Sequence, residues 1–150
     1  MKYQEQEIEK IYNLPFTTLI YRAQETHHRH QDPAGIQTCA LKSIKTGTCP
    51  EDCKYCPQSA HHNTFVGPEK LLDTETILED AQQAAEDGAS RFCMGAAWRK
   101  PTNRQVQQVA ELVSAVREEG LETCTTLGML TDQQAQDLAD AGLDYYNHNL

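Results

Sequence analysis

The chain has 150 residues, of which 39% are hydrophobic and 23% are charged, and these proportions are sufficient for a packed globular core. Its apolar runs are far shorter than the ~20 residues that a membrane-spanning helix requires, so none is expected. The formal net charge is −9, with the acidic excess after Pro68. Nucleic acid is therefore a poor candidate partner, because phosphate binding requires a basic surface. The first nine residues include three Glu and no apolar run, which argues against a signal or transit peptide and favours the cytoplasm.

Residues 1–34 are expected to form an N-terminal helical extension, because residues 16–28 have helical character and precede the first strand candidate, 35–44. The histidines near the end of this segment are expected to be a solvated helix end; they are His27, His28 and His30.

A pattern of amphipathic helix, glycine and short strand occurs three times after Pro68. Each helix ends at a glycine suited to the left-handed C′ position, namely Gly88, Gly120 or Gly142. Capping boxes mark the starts of the second and third helices, and they pair Thr102 with Gln105 and Thr131 with Gln134. The predicted apolar stripes are Ile77, Leu78, Ala81, Ala84 and Ala85, then Val106, Val109, Ala110, Val113 and Val116, then Ala135, Leu138 and Ala139. Predicted strands follow at residues 90–95, 121–126 and 143–150.

Alternating strands and helices predict a parallel sheet with right-handed crossovers and helices on the outside. The glycine spacing is close to the ~31 residues per unit of a (β/α)8 TIM barrel, so residues 35–150 are expected to form the first half of such a barrel. A doubly wound open sheet is the alternative, although no G-x-G-x-x-G follows the first strand. Because four strands leave two edges unpaired, we expect the chain to be a fragment, truncated after its fourth strand and inactive alone.

Three cysteines lie on one short loop after the first predicted strand, with the spacing C-x3-C-x2-C: Cys49, Cys53 and Cys56. A reducing cytosol favours metal binding over disulfides, and this spacing differs from the ferredoxin runs. Three thiolates can hold three irons of a cubane cluster, which leaves the fourth iron open to a small molecule. A small zinc-binding module is the alternative, with His61 or His62 as the fourth ligand.

The segments around the cysteines carry a resemblance to a known family. They are SIKTG before Cys49, PED and KY between the cysteines, PQSAHH after Cys56, CMGAAWR from Cys93, and YNHNL at the end. Over residues 12–150 the chain resembles the N-terminal half of the biotin synthase family of radical S-adenosylmethionine (SAM) enzymes. The resemblance implies a sulfurtransferase that inserts sulfur into dethiobiotin through a 5′-deoxyadenosyl radical, the last step of biotin biosynthesis. Another radical SAM sulfur insertion or a rearrangement is the alternative within the superfamily.

The resemblance also implies cofactors and their ligands. Cys49, Cys53 and Cys56 would bind a 4Fe-4S cluster that SAM chelates, and Tyr55 would contact the adenine. Cys93 and Cys124 would be two ligands of a second cluster, 2Fe-2S, whose remaining cysteine and arginine ligands are not in this chain.

Strand alternation supports this assignment, because it places Phe92 and Met94 toward the helices and Cys93 and Gly95 on the opposite face. Gly95 leaves backbone accessible to SAM.

In the last strand, alternation places Tyr145, Asn147 and Asn149 on one face, and Tyr146 and His148 on the other. The resemblance implies that Asn147 and Asn149 bind dethiobiotin and that Asn149 also binds SAM. Buried asparagines require polar partners, and the alternative is that they are exposed at the sheet end.

Other implied partners are a flavodoxin or ferredoxin-type reductant and a second copy in a homodimer. Cys39 is interpreted as a packing residue, whereas Trp98 and Arg99 belong to the family motif without an assigned role.

Overall fold

The computed structural model describes residues 3–148, and their contacts divide into two units, one that ends at Ile36 and one that begins at Gln37. The first unit contains two helices, α1 (Glu5–Tyr12) and α2 (Phe16–His30). The second helix confirms the prediction for residues 16–28 and continues two residues further. The sequence reasoning missed α1, although the Glu7 carboxylate accepts a hydrogen bond from the Gln4 amide at 2.9 Å, as in a capping box.

The second unit is a parallel four-stranded sheet in the order β1-β2-β3-β4. Its strands are β1 (Cys39–Lys45), β2 (Arg91–Ala96), β3 (Glu122–Thr126) and β4 (Tyr145–Tyr146). Its helices are α3 (Thr74–Glu86), α4 (Asn103–Glu118) and α5 (Asp132–Asp140), one before each of the last three strands. Sequential parallel neighbours joined through helices are the opening units of a TIM barrel, so the fold prediction is confirmed. No helix described in residues 3–148 has the length and apolar character needed to cross a bilayer.

The ends of the helices follow the predicted local signals. The capping boxes of α4 and α5 are both formed, through Thr102 with Gln105 and Thr131 with Gln134. The predicted C′ glycines all have positive φ, between 82° and 94°: Gly88, Gly120 and Gly142. Local signals therefore mark where α4 and α5 begin and where α3, α4 and α5 end.

The hydrophobic core lies between one face of the sheet and the helices. Phe92 and Met94 are buried there, as alternation predicts, together with the apolar stripe of α4. The prediction for α5 is partly wrong, because Ala135 and Ala139 are exposed and only Leu138 of that stripe is buried. Gln134 is buried instead, and its amide nitrogen donates to the carbonyl oxygen of Pro101 at 3.1 Å and to Asn103 Oδ1 at 2.8 Å.

The opposite face of the sheet is open. Leu41 on this face is 78% exposed. Cys39 is also exposed, so its interpretation as a packing residue is wrong. Alternation brings both residues to the side of the sheet away from the helices. The carboxyl end of that side contributes Gly95 and Thr126 to the candidate site.

Strand β4 is much shorter than the predicted 143–150. Asp144, just before it, accepts hydrogen bonds from the Thr123 amide at 2.8 Å and from Arg117 Nη1 at 2.8 Å. Burial by itself would raise the pKa of the Asp144 carboxyl, but the Thr123 amide and the Arg117 guanidinium outweigh it and lower the pKa. These contacts fix the start of β4 against β3 and α4.

Candidate active site

The three cysteines of the C-x3-C-x2-C motif lie on the loop between β1 and α3, which folds back on itself. The Cys49 amide donates to the Gln58 carbonyl at 2.9 Å, and the Cys49 carbonyl accepts from the Ala60 amide at 2.8 Å. The Cys56 amide donates to the Cys53 carbonyl at 2.9 Å, which closes the turn between the second and third cysteines. These backbone bonds hold the three thiols on one compact loop.

The entry to this loop is a tight turn that requires glycine at residue 47. Gly47 has φ of 72°, and a Cβ atom there would lie 2.9 Å from the carbonyl carbon of Gly67. Thr48 follows with φ of 51°, a conformation that costs free energy for a β-branched residue. The Lys45 ammonium donates to the carbonyl of Gly47 and, at 3.2 Å, to that of Ala97. Lys45 thereby attaches the strained turn to the end of β2.

A cavity of about 190 Å³ lies between the cysteine loop and the carboxyl ends of β2 and β3. All three motif cysteines and Tyr55 line one side of it. The opposite wall includes Gly95, Trp98, Thr126, Gly128 and His148. A Cβ atom at Gly95 would meet only the Lys42 carbonyl oxygen, at 4.0 Å, so the backbone there is open. Thus five residues predicted from the sequence, the cysteines with Tyr55 and Gly95, border one cavity.

Cys93 and Cys124 form a second pair of thiols on the same open face. They are register partners on β2 and β3, two residues before Gly95 and Thr126 on their strands. Burial, and then the neighbouring Cys124, raise the pKa of the Cys93 thiol to about 12. The pair therefore lies toward the amino ends of the strands relative to the cavity.

The residues around this pair are charged and aromatic. Arg91 Nη2 lies 2.9 Å from the Glu122 carboxylate, and its guanidinium carbon lies 3.7 Å from the centre of the Tyr145 ring. Tyr145 on β4 is the register partner of Cys124 on the neighbouring strand β3, so the two residues lie on the same face of the sheet.

The structure describes one of the two predicted asparagines. Asn147 is exposed after β4, and its backbone amide donates to the Thr125 carbonyl at 2.9 Å. Asn149 lies outside the described residues. His148 lines the cavity, although the sequence analysis assigned it no role. The only sequence feature that could have indicated a role for His148 is its position within the YNHNL segment, which carries part of the family resemblance.

Comparison with known protein families identifies the family of the chain. A family model described as the Radical SAM superfamily matches residues 43–150, which contain the whole cysteine loop and the cavity wall. The chain belongs to the radical SAM superfamily.

Curated relatives share more than half of the aligned residues. They include the biotin synthases of Marinobacter nauticus (57% identity, 97% of this chain, 41% of that protein) and Chromohalobacter salexigens (58%, 97%, 39%). The biotin synthase of Coxiella burnetii is 56% identical over 95% of this chain and 44% of its own length. The chain thus spans about two fifths of the length of these relatives.

The structure of methylornithine synthase (PylB) superposes with a TM-score of 0.70 at 16% identity, over 97% of this chain and 43% of that one. This likeness concerns the fold alone, and it agrees with the parallel sheet and outer helices of the radical SAM chain.

The thiol arrangement fits an iron-sulfur cluster better than a zinc ion. A cubane presents a separate iron to each cysteine, so three partly exposed thiols around one cavity suit it. Zinc needs four ligands within ~2.3 Å of one point.

The two candidate histidines for a zinc site contact other groups. His62 Nδ1 lies 3.2 Å from the Cys56 carbonyl oxygen and Nε2 lies 3.3 Å from Asp52 Oδ1. His61 Nε2 lies 3.1 Å from the Pro50 carbonyl oxygen. Neither imidazole is directed into a shared site with the cysteines.

Proposed function

We propose that this chain supplies the cluster-binding and SAM-binding β/α units of a biotin synthase. The observation that carries the proposal is the convergence of Cys49, Cys53, Cys56 and Tyr55 on one cavity at the carboxyl ends of the strands. Active sites of β/α barrels lie at this end of the sheet. Similarity to biotin synthases over 97% of the chain adds the substrate class.

Cys49, Cys53 and Cys56 would hold the 4Fe-4S cluster, and Tyr55 would lie against the adenine of SAM. A cluster held there would supply the electron for cleaving SAM into methionine and a 5′-deoxyadenosyl radical. The chain's own residues would orient SAM and restrict water, with the exposed backbone of Gly95 beside its methionyl part.

Cys93 and Cys124 would contribute to a sulfur-donating 2Fe-2S cluster. Their side-by-side placement on β2 and β3, on the same open face as the cavity, supports this assignment. Two thiols account for two of four ligand positions, so the remaining ligands would come from residues outside this chain.

Several properties of the whole enzyme belong to the same proposal. Dethiobiotin would be the substrate, with Asn147 and Asn149 among its contacts, and a flavodoxin or ferredoxin-type protein the reductant. The enzyme would work in the cytoplasm as a homodimer. Residues 1–34 would be an N-terminal extension and residues 35–150 the first half of the barrel.

The test is biotin formation from dethiobiotin by the natural gene product, incubated anaerobically with SAM and a reductant. Wild type should form both 5′-deoxyadenosine and biotin. Cys53→Ser should abolish both products, whereas Cys93→Ser should abolish biotin and retain some SAM cleavage. Cys39→Ser, a cysteine on the same face outside both proposed ligand sets, is the matched control and should retain both. SAM cleavage without biotin formation by wild type would instead indicate another radical SAM reaction.

A further inference from the structure

Arg99, on the loop after β2, contacts the cysteine loop directly. Its Nε lies 3.0 Å from Oε1 of Glu51, which is located between Cys49 and Cys53. The Glu51 backbone is fixed as well, because its carbonyl accepts a hydrogen bond from Ser59 Oγ at 2.6 Å. A charged contact thus joins the loop of cluster ligands to the neighbouring loop.

The backbone at Arg99 contacts the next loop along the sheet. The Arg99 carbonyl accepts a hydrogen bond from the Met129 amide at 2.8 Å. Gly128 packs so closely that a Cβ atom there would lie 2.5 Å from the Trp98 carbonyl oxygen. The Tyr146 hydroxyl donates to the Gly128 carbonyl and accepts from the Leu127 amide at 3.2 Å. Contacts therefore run from the cysteine loop through Arg99 to the end of β3.

We propose that Arg99 is a positioning residue that sets the separation between the cysteine loop and the opposite wall of the cavity. Trp98 and Gly128 belong to that wall. Trp98 precedes Arg99 in the chain, and Gly128 precedes Met129, whose amide donates to the Arg99 carbonyl. By fixing this separation, the Arg99–Glu51 pair would determine how well the cavity accepts SAM. The choice of SAM as the ligand rests on the proposed function, whereas the position of the wall does not.

Loss of the pair should leave the fold intact. The Arg99 and Glu51 side chains are 61% and 40% exposed, and exposed ion pairs contribute little to global stability. Lys45 still attaches the cysteine loop to the end of β2 when Arg99 is replaced. We expect Arg99→Gln to weaken SAM binding about threefold to fivefold, equivalent to up to ~1 kcal/mol. Arg99→Glu, which places two carboxylates together, should weaken it by about tenfold or more.

The first experiment measures SAM affinity of the natural gene product after anaerobic reconstitution with iron and sulfide. SAM is titrated against the EPR spectrum of the reduced cluster, with iron content and thermal midpoint as checks. The charge-swapped double variant Glu51→Arg/Arg99→Glu should recover affinity to within about twofold of wild type. Arg104→Gln is the matched control, because Arg104 is exposed on α4 and has no ion pair within residues 3–148. The proposal would be overturned if Arg99→Glu bound SAM as tightly as wild type, or if the double variant bound SAM no more tightly than Arg99→Glu. Loss of iron in Arg99→Gln would also overturn it.

A second experiment is independent of SAM. Trp98 lies in the cavity wall, so the fluorescence that a Trp98→Phe variant loses reports the wall's position. In cluster-free protein, Arg99→Glu should increase acrylamide quenching of Trp98, while Arg104→Gln and the double variant should resemble wild type. Unchanged quenching in Arg99→Glu contradicts the positioning role. A wild type that fails to bind SAM while these quenching differences hold contradicts only the proposed function.

Discussion

Replacing Gly128 with alanine tests how closely the loops around the cavity pack. Gly128 has φ of 89°, and a Cβ atom there would lie 2.5 Å from the Trp98 carbonyl oxygen and 2.7 Å from the carbonyl carbon of Arg99. The left-handed conformation costs alanine ~1–2 kcal/mol, and relieving the overlap costs a further ~1–3 kcal/mol. We therefore expect Gly128→Ala to lower the free energy of unfolding by roughly 2–5 kcal/mol.

Gly120→Ala is the matched control for this substitution. Gly120 has φ of 82°, yet a Cβ atom there would have no neighbour within 4 Å. It should cost only the conformational ~1–2 kcal/mol. In urea, with a slope of ~2 kcal/mol/M, a 2 kcal/mol difference lowers the Gly128→Ala midpoint about 1 M below the control. Equal midpoints for the two variants would refute the close packing of Gly128 against residues 98–99.

Three further predictions concern the fold. Asp144→Asn should lower the free energy of unfolding at pH 7. It should also make that free energy fall less steeply as the pH is lowered into the acid range. The lowered pKa of Asp144 means that its contribution is complete above the unfolded pKa of ~3.9 and lost as pH falls through the folded value, which pH-dependent urea unfolding measures. Phe92→Ala should cost ~3–5 kcal/mol because the side chain is 2% exposed, whereas Leu41→Ala should change the urea midpoint little. Thr102→Ala should cost ~1 kcal/mol through the lost cap of α4, seen as a lower thermal midpoint.

Features governed by neighbouring residues were predictable from the sequence. The capping boxes at Thr102 and Thr131 and the C′ glycines depend on hydrogen bonds within one turn, so their patterns located the helices. Alternation along β2 separated Phe92 from Cys93 because strand side chains point to opposite faces.

Features that depend on distant contacts were not predictable in this way. Ala135 and Ala139 have helical spacing, yet burial depends on which neighbour covers that face, and both are exposed. The buried amide of Gln134 is stabilised by partners some 30 residues away. The contact of Arg99 with Glu51 joins two loops through side chains, and no local pattern indicates it.

The candidate site also combines features set by neighbouring residues with features set by distant contacts. The spacing of the cysteines predicted a cofactor loop because the ligands are close in the chain. Trp98, Thr126 and His148 complete the cavity from the ends of three different strands, so only the folded sheet brings them together.

The most direct test of the central claim is metal and EPR analysis of the purified protein after anaerobic reconstitution. If Cys49, Cys53 and Cys56 form a SAM-binding 4Fe-4S site, the motif should account for about four irons and four sulfides per chain. The EPR spectrum of the reduced cluster should then change on addition of SAM. Cys53→Ser should remove both the iron bound by the motif and the EPR signal. One zinc per chain without a visible chromophore, or a cluster whose spectrum ignores SAM, would contradict the account.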